Sequence, residues 1–197
     1  RLIETPLPLG LPACEAWVRQ LGESLDRKQH AETVIERELE RVVPKLEWVI
    51  PYAFQNRTVG YLGDPHLLPG LASFLRCLGA SLRFAVITNR PAHTRELPDA
   101  VRELQPLVYP TTRVLAETLA AAQHEHEIDL LVGSDLGQVA CPVASFEIGF
   151  PSTTRHALYE RPFLGFGGAL ALADSCANAM SQHALFLASR HDSAHRE

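Results

Sequence analysis

The stretch RTVGYLGDPHLLPGLASFLRCLGASLRFAVITN, residues 57–89, changes its hydrophobic period twice. Its first part, RTVGYLGD, is rich in β-forming residues and closes on a Gly-Asp-Pro turn, which reads as a short strand. HLLPGLASFLRCLGA then brings Leu67, Leu68, Leu71, Phe74, Leu75 and Leu78 to one side of a helix. SLRFAVITN returns to a strand pattern. Two strands joined by a helix of this length are not a hairpin. They are parallel strands in a sheet that helices cover.

The same alternation continues toward the carboxyl terminus. RELPDAVREL is a short helix or turn, PLVYP a third short strand, and TRVLAETLAAAQHEHEI an Ala/Leu-rich helix. DLLVGSD is a strand ending in a glycine turn, ASFEIGFP the last strand, and GGALALADSCANAMSQHALFLAS the closing helix. Toward the amino terminus the pattern is helical. CEAWVRQLGESLDRK carries Trp17, Val18, Leu21 and Leu25 at helical spacing. The next helix has Val34, Ile35, Leu39, Val42 and Val43 on its apolar side and is expected to run to about residue 43, where Pro44 and then Pro51 kink or end it. The expected fold is a three-layer α/β domain, Rossmann-like or flavodoxin-like, with a parallel sheet of four or five strands and a helical lead-in. Residues 1–56 form the lead-in, 57–187 the α/β domain and 188–197 a polar tail, RHDSAHRE, expected to fray.

Composition narrows the function. The 197 residues are 46% hydrophobic and 21% charged with a net charge of −5, so no basic field invites nucleic acid. No apolar run approaches the ~20 residues of a membrane helix, and no signal peptide is visible at the start, so a cytoplasmic protein is expected. Cys14, Cys77, Cys141 and Cys176 are widely spaced, with no CxxC pair, and read as small buried thiols in apolar segments such as FLRCLGA. The chain opens on Arg1 and its one methionine is Met180, which reads as a piece of a longer polypeptide.

In a parallel α/β sheet ligands bind beyond the carboxyl ends of the strands. Three unusual turns fall there: GDPH after the first strand, GSDLG after the fourth and GFPSTTRH after the fifth. GYLGDP is neither the dinucleotide-binding glycine pattern nor a P-loop. The helix start after Pro65 could bind an anion, against the plainer reading of a tight turn with Asp64 as the helix N-cap. HEHE at 124–127 places His124 and His126 two apart, wrong for sharing an ion on a helix, and reads as a solvated helix end. A hydrolytic triad of Ser152, His156 and Asp135, or one using Ser134, lacks the nucleophile-elbow pattern. His156, beside Arg155 and just before the glycine-rich GFGG, is the best single candidate for a ligand, with a structural histidine as the alternative.

GDPHLLPGLASFLRCLGA, DLLVGSDLG and EIGFPSTTRHALYERPFLGFGGALALADSCANAM, taken in that order, resemble the carboxyl-terminal region of the nitrogenase component 1 superfamily. The resemblance covers roughly residues 57–180 and leans toward the β-type subunit and its cofactor-scaffold counterpart. In the α-type subunit, a histidine seven positions after the glycine of the Gly-x-Pro turn coordinates molybdenum, and Gly149 to His156 has that spacing. In the β-type subunit a similar stretch holds no cofactor. The tryptophan of the α-type pattern is missing from ALYERPFLGF, which weakens the transfer of the ligand role.

What the resemblance implies is a wall of a metallocluster pocket, with His156 in the metal-ligand position and Gly149, Pro151, Arg155, Gly165 and Gly168 around the cofactor. An iron–sulfur cluster or an iron–molybdenum-type cofactor would then belong to the longer parent, a nitrogenase-like oxidoreductase of nitrogen fixation or a protein of cofactor biosynthesis. The cluster cysteines of the family lie upstream of a segment like this one, so this chain alone is expected to bind no cluster and to be inactive. The implied partners are a paralogous subunit, in a heterotetramer or homo-oligomer, and a reductase iron protein, with neither nucleic acid nor membrane. Two other readings stay open: an interaction domain of the same fold without redox chemistry, and a nucleotide- or sugar-binding α/β enzyme.

Overall fold

The computed structural model describes residues 2–90, 97, 99–124, 128–134, 136, 143–149 and 162–194, without the side chains of 123, 124 and 189–194. Two long helices, α1 (Leu11–Ser24) and α2 (Lys28–Ala53), lead into β1 (Thr58–Gly63), α3 (Leu68–Cys77) and β2 (Ser81–Ile87). There follow α4 (Asp99–Arg102), β3 (Leu107–Val108), α5 (Thr112–His124), β4 (Leu130–Gly133), β5 (Ala144–Glu147) and α6 (Gly165–Ala194). The five strands form one sheet in the order β3-β2-β1-β4-β5, and every pair is parallel. From β1 the chain winds outward through β2 to β3, then crosses back to place β4 on the other side of β1. This is the 3-2-1-4-5 order of one doubly wound class and not the 2-1-3-4-5 order of the other.

Alternation along the strands sorts the core into two layers. Val59, Tyr61, Ala85, Ile87, Leu130, Val132, Ala144 and Phe146 join a large cluster with residues of α1, α2, α3 and α6. Leu62, Val86 and Leu131, one step out of phase, meet Leu119 and Ala122 of α5 on the opposite face with Ile128 and Leu136. Apolar residues at both phases are what a strand buried on two faces requires. Leu67, Leu68, Leu71, Phe74, Leu75 and Leu78 are all buried, as the spacing predicts. The sheet is closed at its amino end by Asp129, which accepts the Thr58 amide (2.8 Å), the Thr58 hydroxyl (3.1 Å) and the Arg57 guanidinium (2.7 Å).

The structure differs from the expectation in three respects, two of them in the lead-in. α2 does not stop near residue 43 but runs to Ala53 with Pro44 and Pro51 inside it. Both prolines are exposed, and so are Glu40 and Glu47 four residues earlier, so the carbonyls that lose their donors face water. On α1 the buried positions are Leu11, Cys14 and Gly22, while Leu25 lies past the helix end and is exposed. The leading segment sets this phase. Leu9 is fully buried against Gly70, and the Pro8 carbonyl accepts both the Cys14 thiol (3.2 Å) and the Gly165 amide (2.7 Å). Cys77, third, is exposed at the end of α3, whereas Cys14 and Cys176 are buried. The apolar stretch around Cys77 turns its leucines inward and the thiol outward. Cys141 lies outside the described residues.

α6 has 30 residues and continues through Arg190 to Ala194. Among the described residues no helix is long and apolar enough to cross a membrane.

Candidate functional site

The crossing from β1 to β4 opens the sheet at its carboxyl edge, where Gly63, Ser134, Glu147 and Gly149 follow one another across β1, β4 and β5. Backbone pairing carries past the strand ends. Ser134 donates its amide to Leu62 O (2.9 Å), Ile148 to Gly133 O (2.7 Å) and Thr88 to Gly63 O (3.2 Å). A Cβ on Gly133 would run into the Leu62 carbonyl, so the close approach of β4 to β1 requires glycine there. Gly149 turns the chain away from β5 with φ +85°, a left-handed conformation that favours glycine, directly over the Leu67 side chain.

The Gly-Asp-Pro turn is built on Asp64, though not as a helix cap. Its Oδ1 accepts the His66 amide (2.7 Å), the Asn89 side-chain amide reaches Oδ2 (3.4 Å), and the Tyr61 hydroxyl donates to the Asp64 carbonyl (2.8 Å). α3 starts four residues later, at Leu68, with no side-chain cap and with Pro69 in its first turn. The turn's own carboxylate thus takes an amide that an incoming anion would need, and Pro69 has none to offer. Burial pushes the Tyr61 phenol well above its usual range, and the nearby Asp64 charge adds to this, so Tyr61 serves as a neutral donor.

Sequence reasoning missed Glu147. It is buried on the α5 face, and its Oε1 accepts the Leu136 amide (3.0 Å), which fastens the turn after β4 to the end of β5. The available signal was an acidic residue inside the apolar run ASFEIGF, since buried carboxylates are rare without a partner. Ser134 is buried at the same rim.

Of the cofactor-binding positions expected from the sequence, three fall on described residues. Gly149 lies at the rim, Gly165 begins α6 with φ +76°, and Gly168 packs on the backbone of Phe163. Pro151, Arg155 and His156 lie outside the described residues, as do Asp135, Ser152 and the 125–127 part of the HEHE stretch. Among the described residues no group of three or more His, Cys, Asp or Glu side chains comes together that could hold a metal. Burial pushes the Cys14 thiol up to about 11, which keeps it a protonated core group, and Cys77 lies at the opposite end of α3 from the rim. The described residues therefore do not by themselves make a cluster site. They supply a polar rim of glycines, hydroxyls and tied carboxylates.

Five parallel strands wound both ways from β1, with glycines and tied polar groups along the carboxyl edge, define a doubly wound α/β domain, a class that holds its ligands against the loops at that edge. The chain belongs to the family of nitrogenase component 1 type oxidoreductases, whose profile matches residues 1–181. It is 26% identical over 196 residues to the nitrogenase vanadium-iron protein beta chain of Trichormus variabilis, covering 89% of this chain and 40% of that one. Against the nitrogenase iron-iron protein beta chain of Rhodobacter capsulatus the identity is 25% over 183 residues, with 89% and 39% covered. The solved structure of nitrogenase Cp1 at pH 6.5 shares the fold with a TM-score of 0.71 at 21% identity, over 91% of this chain and 40% of that one. The chain thus spans about two-fifths of the length of these relatives.

Proposed function

We propose that this chain is the carboxyl-terminal part of a nitrogenase-like oxidoreductase subunit of the β type, or of the related scaffold for cofactor assembly. In that setting it forms one wall of a metallocluster pocket and a subunit interface. The observation that carries the reading is the position of Gly149. It follows β5 at the carboxyl rim, beside Leu67 and Ser134, in a chain of this family, and that rim is where this class of fold places its ligands. On this reading Pro151, Arg155 and His156 face the group that the pocket holds, and Gly165 and Gly168 let the start of α6 approach it. An iron–sulfur or iron–molybdenum-type group would bring redox chemistry, with thiolates supplied by polypeptide outside this chain. The partners are a paralogous subunit or a second copy, and a reductase iron protein.

Iron analysis and electronic spectra of the longer polypeptide, purified without oxygen together with its paralogous subunit, test the reading. Iron and sulfide-to-iron absorption are expected, with a changed spectrum in His156→Ala. An iron-free complex would sink it. The arrangement of the described cysteines, two in the helical core and one away from the rim, favours one rival: an interaction domain of the same fold without redox chemistry. His156→Ala with an unchanged spectrum and full partner binding would support that rival.

A further inference from the structure

Ser134, at the end of β4, carries a hydroxyl that no described residue uses. The residue is only 7% exposed, and buried hydroxyls in folded proteins almost always find a partner. Its amide donates to Leu62 O (2.9 Å), yet its Oγ makes no hydrogen bond with any described residue. The polar side chains around it are engaged elsewhere. The Tyr61 hydroxyl donates to the Asp64 carbonyl, Asp64 holds the His66 amide, and Glu147 accepts the Leu136 amide. Among the described residues no fully enclosed side-chain oxygen or nitrogen lacks a partner, so the Ser134 hydroxyl is not sealed in. It keeps a narrow opening at the carboxyl rim.

The surroundings suit a bound group better than an internal bond. Ser134 lies between two glycines that follow one another along the rim. A Cβ on Gly63 would stand 3.2 Å from Ser134 Oγ, and one on Gly149 3.9 Å from Ser134 Cβ, so glycine at both positions leaves the hydroxyl uncrowded. Amides along this edge do not take its place, because those of Ser134, Ile148 and Thr88 are spent on the Leu62, Gly133 and Gly63 carbonyls. What remains to meet a ligand here is an O–H donor in a nearly dry setting, where a hydrogen bond to a charged acceptor is strong. The outer atoms of an iron–sulfur group are sulfides, which accept hydrogen bonds, and such bonds help to set its reduction potential. A donor favours the state with more negative charge, which is the reduced one. We propose that Ser134 is a binding residue of this pocket, its hydroxyl donating to a sulfide of the group held at the rim and raising the reduction potential of that group. That role rests on the metallocluster reading above, which stands without it.

Spectroelectrochemical titration of the longer polypeptide, purified without oxygen together with its paralogous subunit, tests it on wild type and Ser134→Ala. The substitution removes one oxygen and adds no bulk, so iron content is expected to stay at the wild-type level while the reduction potential falls. Pulsed EPR of the reduced protein after exchange into D2O reads the bond itself. A deuteron coupled to the iron group is expected in wild type and should be lost in Ser134→Ala. Iron-loaded wild type with no such deuteron, or wild type and Ser134→Ala with the same potential and the same deuteron signal, would overturn the proposal and leave Ser134 holding water only. An iron-free complex is a separate result, which removes the metallocluster reading and this role with it.

Discussion

Asp129 stands just before β4 and gathers three donors from Arg57 and Thr58 at the head of β1. Burial alone would raise its carboxyl. The Thr58 amide, the Arg57 guanidinium and the Thr58 hydroxyl outweigh that, so it titrates below its ordinary 3.8. A folded-state value below the unfolded one gives stability that is fully present above the unfolded value and is lost as pH falls through the folded one. Chemical denaturation of wild type and Asp129→Asn should therefore show a gap of about 1 kcal/mol near neutrality, which closes as the pH is lowered through 3.8 and below it. A gap that holds constant through that range would rule out the carboxylate as its source. Residue types at such sites were visible in the sequence, but their pairings were not. Asp129 and Thr58 are 71 positions apart, and only the parallel pairing of β1 with β4 brings them together. Glu147 is legible as an oddity in an apolar strand, while its bond to Leu136 depends on how the turn after β4 folds back.

Among the elements, α2 shows where local rules yield to packing. Ala31, Ile35, Val42 and Leu46 are buried on one side at steps of four, seven and four residues. That stripe continues past Pro44, and Val49, Ile50 and Ala53 still pack on the core. The cost of a proline inside a helix is set by the lost hydrogen bond and the clash one turn back, up to about 3 kcal/mol. Here it is reduced because the affected turns face solvent. Pro44→Ala should restore the bond to Glu40 and raise stability by about 2 kcal/mol, less the entropy a proline removes from the unfolded chain. Thermal unfolding checks it, and a lowered melting temperature would show that Pro44 is needed for the course of the helix. α3 follows the apolar pattern closely because it buries one periodic face, and the central strands follow it because both of their faces are buried. The α3 start does not, since Asp64 spends its carboxylate on the turn and not on the helix.

At the scale of the molecule the two sides of the sheet are unequal. One carries α1, α2, α3 and α6 around most of the buried residues, and among the described residues the other carries α5 over a smaller cluster. Opening the molecule anywhere in β1 or β4 exposes both. Amide exchange should therefore be slowest in β1 and β4, and faster in α6 beyond Met180, where no described residue joins the core. Equal protection along the whole of α6 would contradict this division.

The sequence by itself determined the α/β class, the parallel sheet, the inward face of α3 and the family, because each is written in local periodicity or in motifs of fixed spacing. Tertiary structure alone decided the strand order, the passage of α2 through its prolines, the outward turn of Cys77 and the tying of Asp64, Asp129 and Glu147. These depend on which distant segments lie side by side. Periodicity fixes which face of an element is apolar, and only packing fixes what that face, and the polar atoms at its ends, will meet.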